Sequence, residues 1–158
     1  MKHYIALIFF TALQMSCYTG RNMRPSAIGV LPLHNYMLKQ NVTFTNTINY
    51  KFFNNAEDFH NTFTITKTSP GTAIVPDFNA QSVVAVILPS SERVITVAID
   101  KAEIAGRDLN VYYRVTDTTS WKTYPHAAKA VAILPKSLDV EKVNFFSNNN
   151  LTKTLSTK

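Results

Sequence analysis

The stretch Ser82-Val-Val-Ala-Val-Ile-Leu88 decides the fold class of this chain. Its six consecutive apolar residues are bounded by Gln81 and Pro89. A short run that is rich in β-branched side chains and closed by proline is typical of a strand covered on both faces. The sequence therefore predicts a central β-strand with a packed layer on each side.

Several other segments carry the alternating pattern of half-buried strands. The clearest is Leu109 to Thr116, in which apolar residues alternate with Asn, Tyr, Arg and Thr. Period-two alternation or β-branched and aromatic enrichment also marks residues 42–53, 94–99, 126–134 and 140–146. We expect a mainly β protein, built as an antiparallel β-sandwich or an open barrel.

One short helix is predicted over about residues 56–63. Asn54 or Asn55 supplies an N-cap, and the acidic pair Glu57-Asp58 follows in the first turn. Ala56, Phe59 and Phe63 then share one face. Because a two-turn helix is not stable alone, we expect the two phenylalanines to pack on the sheet.

The N-terminus has the form of an export signal over residues 1–16. Lys2 and His3 precede an apolar run from Tyr4 to Leu13, which is too short to span a membrane. Ser16-Cys17 follows and resembles a bacterial lipobox, with Gln14 where the strict pattern has an aliphatic residue. We expect lipidation at Cys17; the alternative is an ordinary signal peptide that leaves a lone thiol.

The remaining chain divides into three parts by composition. Residues 17–40 carry two prolines and no acid, and we interpret them as the lipidated cysteine and a tether. Within the tether, Ile28-Gly-Val-Leu-Pro-Leu33 is apolar enough to dock on the domain as an edge segment. The β-sandwich domain is predicted over 41–147, and residues 148–158 are predicted to fray.

The net charge and the predicted export signal indicate where in the cell the protein acts. The mature chain would carry 15 basic and 10 acidic residues, a net charge of +5, and its basic residues are scattered. The pattern does not indicate a nucleic-acid partner. Arg21 and Arg24 lie close to Cys17 with no acid nearby, which favours contact with acidic lipid headgroups. We expect a membrane-anchored lipoprotein of a Gram-negative cell envelope, with its domain facing the periplasm.

No constellation in the sequence indicates catalysis. His34, His60 and His126 are widely separated, and the four glycines are isolated. A metal site needs three or four converging ligands, and a serine hydrolase needs a nucleophile elbow. We therefore predict a non-enzymatic protein with no catalytic residue, no metal, no cofactor and no small-molecule ligand.

Two polar segments are the candidate partner-binding loops. The first is residues 89–93, and the second is 116–125, which holds the only Trp of the chain. Exposed Trp and Tyr often anchor interfaces, although Trp121 would alternatively fold back to cap the open end of the sandwich. The Asp117-Thr118-Thr119 triplet also makes Thr118 a candidate O-glycosylation site. The candidate binding residues are Pro89, Ser90, Ser91, Glu92, Arg93, Trp121 and Tyr124.

Residues 77–146 resemble the C-terminal domain of PrcB-like protease-complex subunits. The resemblance is carried by Asp77-Phe78, residues 82–88, Asp108-Leu-Asn-Val-Tyr-Tyr-Arg114 and Ala132-Ile-Leu-Pro-Lys136. The family's loop after the first strand has a Thr-Gly-Gly-Tyr type motif, whereas residues 89–93 have neither glycine nor tyrosine. The resemblance implies an exported or lipid-anchored protein that associates with a secreted protease.

Together these patterns predict a lipid-anchored β domain that binds or stabilises another exported protein, for instance a protease. One alternative is a peptidase inhibitor that presents loops to an active-site cleft. The other is a carbohydrate-binding module, which requires Trp121, Tyr124 and a further aromatic ring in one plane.

Overall fold

The computed structural model describes residues 24–40, 42–44, 46–66, 73–137 and 139–157, so the predicted signal peptide and Cys17 lie outside the described residues. Within these ranges the elements follow in chain order: β1 (Ser26–Ile28), β2 (Leu31–Pro32), β3 (Tyr36–Leu38), β4 (Asn49–Phe53), α1 (Ala56–Thr62), β5 (Phe63–Ile65), β6 (Gln81–Ala105), β7 (Asp108–Pro135), β8 (Lys142–Ser147) and β9 (Asn150–Ser156).

The predicted mainly β fold class is confirmed. A seven-stranded sheet runs in the order β1-β6-β7-β8-β9, with β2 attached to β7 and β4 attached to β6. Strands β3 and β5 form a separate two-stranded sheet. The arrangement is sandwich-like and is not closed into a barrel. Among the described helices, none has the length and apolar character that crossing a bilayer requires.

A single long hairpin, β6–β7, organises the sheet and has three parts. Its base, residues 81–87 with 129–135, pairs further with β4 and β2. Its tip, residues 99–105 with 108–113, pairs further with β1 and β8. Between them lies a two-stranded ribbon, residues 88–98 with 114–128, which has no additional strand partner within the described ranges.

Residues 82–88 are buried on both faces, as the sequence predicts. Val84, Val86 and Leu88 point into an inter-sheet core, which they share with the tip residues Val111 and Tyr113 and with β8. The intervening residues point the opposite way, into a helix-side core built from α1, β3, β4 and β5. Its buried members are Leu33, Tyr36, Phe53, Phe59, Phe63, Val83, Ala85, Ile87, Val131 and Ile133.

The hairpin folds back on itself, because its base and its tip contribute to the same inter-sheet core. Across that core, the hydroxyls of Tyr50 and Tyr113 lie 2.7 Å apart, and the Tyr50 ring centroid is 4.9 Å from that of Phe145. Shifts of register between Ile87 and Ser90 and between Ile99 and Lys101 mark the ribbon. Such bulges reverse which alternate residues face inward and bend the strand.

The predicted helix is confirmed, including its cap. The Asp58 amide donates to Asn55 Oδ1 at 2.9 Å, and Asn55 Nδ2 donates back to Asp58 Oδ2 at 2.8 Å. The helix buries Phe59 completely. The Phe59 ring contacts five surrounding rings, with centroid distances of 5.1 Å to Tyr36, 5.5 Å to Phe53, 5.6 Å to His60, 5.3 Å to Phe63 and 5.7 Å to Phe78.

The chain termini differ from the sequence-based boundaries. Residues assigned to the tether form β1, β2 and β3, and Leu33 and Tyr36 are buried. The apolar stretch 28–33 therefore docks on the hairpin. At the other end, the predicted frayed tail forms β9, which pairs with β8. Asn148 and Asn149 have φ of 51° and 62°, the left-handed conformations that a two-residue hairpin turn requires.

Two further predictions are corrected by the pairing. Strand β8 runs parallel to β7, whereas the sequence pattern predicted only antiparallel neighbours. Segments 89–93 and 116–125, predicted as loops, belong to the long strands β6 and β7. Their polar composition hid them, because a ribbon with largely exposed faces needs no apolar alternation to keep its backbone hydrogen bonds.

The helix-side core provides the first test. Phe59→Ala removes a ring with no solvent exposure that touches five other aromatic rings, and we expect a loss of about 3–5 kcal/mol in unfolding free energy. Urea denaturation followed by far-UV circular dichroism measures this loss. Tyr124→Ala is the matched control, because the Tyr124 side chain is 78% exposed and its removal should change stability by no more than ~0.5 kcal/mol. Equal losses in both variants would contradict the packing described.

Candidate functional site

The structure brings the two predicted binding segments together. Arg93 on β6 lies directly opposite Trp121 on β7, and Ser91 lies opposite His126. Between these two pairs the register advances from 91 to 93 on β6 but from 126 to 121 on β7. The unmatched residues 122–125 therefore bulge out of the ribbon, with Tyr124 among them. Two segments that the sequence treats as separate form one surface.

Trp121 and Tyr124 are the dominant apolar features of this surface. Their side chains are 71% and 78% exposed, more than any other large hydrophobic residue in the described ranges. Trp121 therefore does not fold back to cap the sandwich. Neither ring contacts another aromatic ring of the described chain. The third coplanar ring that a carbohydrate platform requires is thus not in contact with them.

Polar contacts hold the ribbon strands in their irregular register. Arg93 Nε lies 3.1 Å from Asp117 Oδ1, and Arg114 Nη2 lies 3.3 Å from Asp100 Oδ1. These side chains are largely exposed, so each ion pair contributes only about 0–1 kcal/mol. The Arg93 amide also donates to Ser91 Oγ at 3.0 Å. The contacts fix the geometry of the surface more than they stabilise the fold.

The other predicted site residues take distinct positions. Pro89, Ser90 and Glu92 are exposed on β6. Pro89 sits where β6 has lost its β4 partner, as is usual for proline in a sheet. Thr118 Oγ1 donates to the Val94 carbonyl at 3.0 Å, so a glycan at Thr118 would have to replace that hydrogen bond. O-glycosylation of Thr118 stays a prediction.

The titratable groups of the described ranges include the hydrogen-bonded pair Tyr50–Tyr113. No group of three or more His, Cys, Asp or Glu side chains that could hold a metal ion occurs within those ranges. Burial raises the pKa of Tyr50 to about 12, and its hydrogen bond with Tyr113 adds to that rise, while a hydrogen bond with Thr152 opposes it. The Tyr50 hydroxyl therefore remains protonated at physiological pH and serves as a polar tie between the two halves of the sandwich.

The structure contains a cavity of about 170 Å³ beside the ribbon, which the sequence did not predict. Its lining includes Val97 and Ile99 of β6, Lys129 and Val131 of β7, and His34 after β2. These residues are far apart in sequence, and only the folding of the hairpin on itself brings them together. The sole local signal was Lys129, a cation inside the apolar segment 127–134.

Comparison with known proteins does not assign the surface. The chain matches no family model, no curated protein and no solved structure.

The exposure of Trp121 can be measured directly, because it is the only Trp in the chain. We expect the native protein to emit like a solvent-exposed indole and to be quenched readily by iodide, since 71% of the residue is accessible. Unfolding in guanidinium should then shift the emission maximum only slightly. A blue-shifted native emission protected from iodide would contradict the position of Trp121 on the ribbon.

Proposed function

We propose that this chain is a non-catalytic β domain that binds or stabilises another exported protein. We further propose that a lipid on Cys17 holds it on the membrane of a Gram-negative cell envelope, facing the periplasm. The observation that carries the binding proposal is the high exposure of both Trp121 and Tyr124 on the bulged ribbon. Their surroundings, the ion pair Arg93–Asp117 and the exposed strand 89–92, supply the polar rim of such a surface.

The two exposed rings favour a protein partner for an energetic reason. Tryptophan and tyrosine carry most of the binding energy in many interfaces, and truncating such an anchor commonly costs ~2 kcal/mol or more. Leaving both rings in water forgoes the hydrophobic gain that each would make on burial, about 25 cal/mol for every Å². A partner that covers the ribbon recovers this free energy.

The ribbon also offers backbone groups to a partner. Its strands have no second neighbour over residues 88–98 and 114–128, within the described ranges. Open strand edges pair readily with an extended segment of another protein. The resemblance of residues 77–146 to PrcB-like subunits supports the same proposal, and it makes an exported protease the first partner to test.

The inhibitor alternative has one supporting observation. Residues 89–93 form an exposed, proline-containing strand beside Trp121, and an extended segment of this kind is what a peptidase cleft accepts. An inhibitor would slow its target protease, whereas a stabilising subunit would not. The two functions can be separated by adding the purified protein to the protease that cross-linking identifies as its partner. The rate at which that protease cleaves a substrate is then measured.

Cross-linking in native envelopes followed by mass spectrometry tests the binding proposal. We expect Trp121→Ala/Tyr124→Ala to lower the yield of the cross-linked partner at least about tenfold, because two anchors are lost. The control is Met37→Ala/Leu151→Ala, which truncates two exposed apolar side chains on β3 and β9, away from the ribbon. A partner captured equally by both variants would move the interface elsewhere.

The proposed anchor has a separate test. Cys17→Ala should release the protein from membranes during detergent-free fractionation, because acyl chains contribute ~0.8 kcal/mol per buried methylene and nothing else in the proposal holds the chain there. Western blotting of the soluble and membrane fractions measures this. Wild-type protein that is already soluble, with a reactive thiol at Cys17, would contradict lipidation.

A further inference from the structure

The cavity beside the ribbon lies on a different part of the hairpin from Trp121 and Tyr124. The segment 24–33 first pairs with the tip of β6 through β1 and then, after only Gly29 and Val30, with the base of β7 through β2. It thereby straps the edge of one sheet layer to the edge of the other. The cavity opens where this strap ends, between Val97–Ile99 and Lys129–Val131.

The β7 edge at this cavity presents unpaired backbone. The Leu33 amide donates to the Val131 carbonyl at 2.8 Å, so the backbone groups of Val131 point away from β6. Alternate residues of a strand direct their amide and carbonyl groups to the same side, so those of Lys129 point the same way. Within the described ranges, β2 pairs only with Ile133 and Ala132, and Lys129 has no strand partner on that side.

Lys129 is the unusual side chain of the cavity. It is partly buried, yet within the described chain it has neither an ion-pair partner nor a hydrogen-bond partner. Among the described residues that line the cavity there is no carboxylate, and His34 is the only other titratable residue. Burial lowers the pKa of Lys129, which reports the same uncompensated desolvation. A ligand that brings a negative charge would relieve this cost.

The size and lining of the cavity define the rest of the ligand. The aliphatic residues Val97, Ile99 and Val131 are among those that line it. Its volume of about 170 Å³ suits a single apolar side chain, since an apolar cavity of ~150 Å³ can hold a benzene molecule. The ligand must therefore offer one apolar group and one carboxylate within a few bonds of each other, next to backbone that can pair with a strand edge.

We propose that this cavity binds the C-terminal end of an extended peptide, whose strand adds to the β7 edge. The last side chain of the peptide enters the cavity, and its terminal carboxylate meets the Lys129 ammonium. The C-terminal residue is the one place in a polypeptide where an aliphatic side chain and a carboxylate share a single Cα. An internal Asp or Glu has its charge where the apolar group is needed.

Fluorescence anisotropy with short labelled peptides tests the proposal on the protein as the cell makes it, purified in mild detergent. The peptides carry β-branched residues at alternate positions and end in Val or Leu, each as the free acid and as the amide. We expect the free acids to bind at least about tenfold more tightly than the amides, because a charge-assisted contact is lost on amidation. This comparison needs no variant, so it holds even if a substitution perturbs folding.

Three variants locate the site. Lys129→Met should weaken binding of the free acids to the level of the amides while keeping the fold, because it removes a poorly solvated charge and keeps the apolar stem. Lys153→Met, on the exposed strand β9, should leave binding unchanged. Trp121→Ala/Tyr124→Ala should also leave it unchanged, which separates this site from the proposed interface. Equal binding of acids and amides, or full binding by Lys129→Met, would overturn the proposal.

Discussion

The two-sided burial of residues 82–88 is the constraint on which the rest of the structure depends. Seven residues from Ser82 to Leu88 are all buried, so a layer must cover each face of this strand. The chain supplies one layer by packing α1, β3 and β5 around Phe59, and the other by folding the tip of the same hairpin back over its base. Folding the tip over the base requires the hairpin to bend, and the bent part of the hairpin is the two-stranded ribbon.

The bend explains why binding features concentrate where they do. Register shifts in β6–β7 fall between Ile87 and Lys101, and they release residues 122–125 from pairing. A strongly bent two-stranded segment cannot keep flat neighbours on its edges, so β4 and β2 end before it, and β1 and β8 pair only beyond it. The exposed aromatic rings and the open backbone edges thus both follow from the bend in the hairpin.

The sequence predicted those elements whose burial imposes a regular spacing of apolar residues along the chain. The central strand, the capped helix at Asn55 and the inward aromatic face of α1 were all visible in the sequence, because burial on a face imposes its own spacing. The pairing of Arg93 with Trp121 was not visible in the sequence, because the polar strands of a two-stranded ribbon show no regular spacing of apolar residues. The Asn148-Asn149 turn and strand β9 were predicted as a frayed tail, because the polar residues that form them show no apolar alternation. The cavity at Lys129 depends on three distant segments, and its only local sequence signal was a lysine inside an apolar run.

An open strand edge also carries a risk, and the ribbon shows how this chain limits it. Edge strands aggregate unless charge, proline or irregular register discourages pairing with other chains. Here Pro89 and the shifts near Arg93 interrupt the β6 edge, while Lys129 places an uncompensated ammonium on the β7 edge. A neutral strand that paired at Lys129 would desolvate that charge further, whereas a chain end that brings a carboxylate would neutralise it. The same lysine that guards the edge against indiscriminate pairing therefore favours a partner of the chemistry we propose.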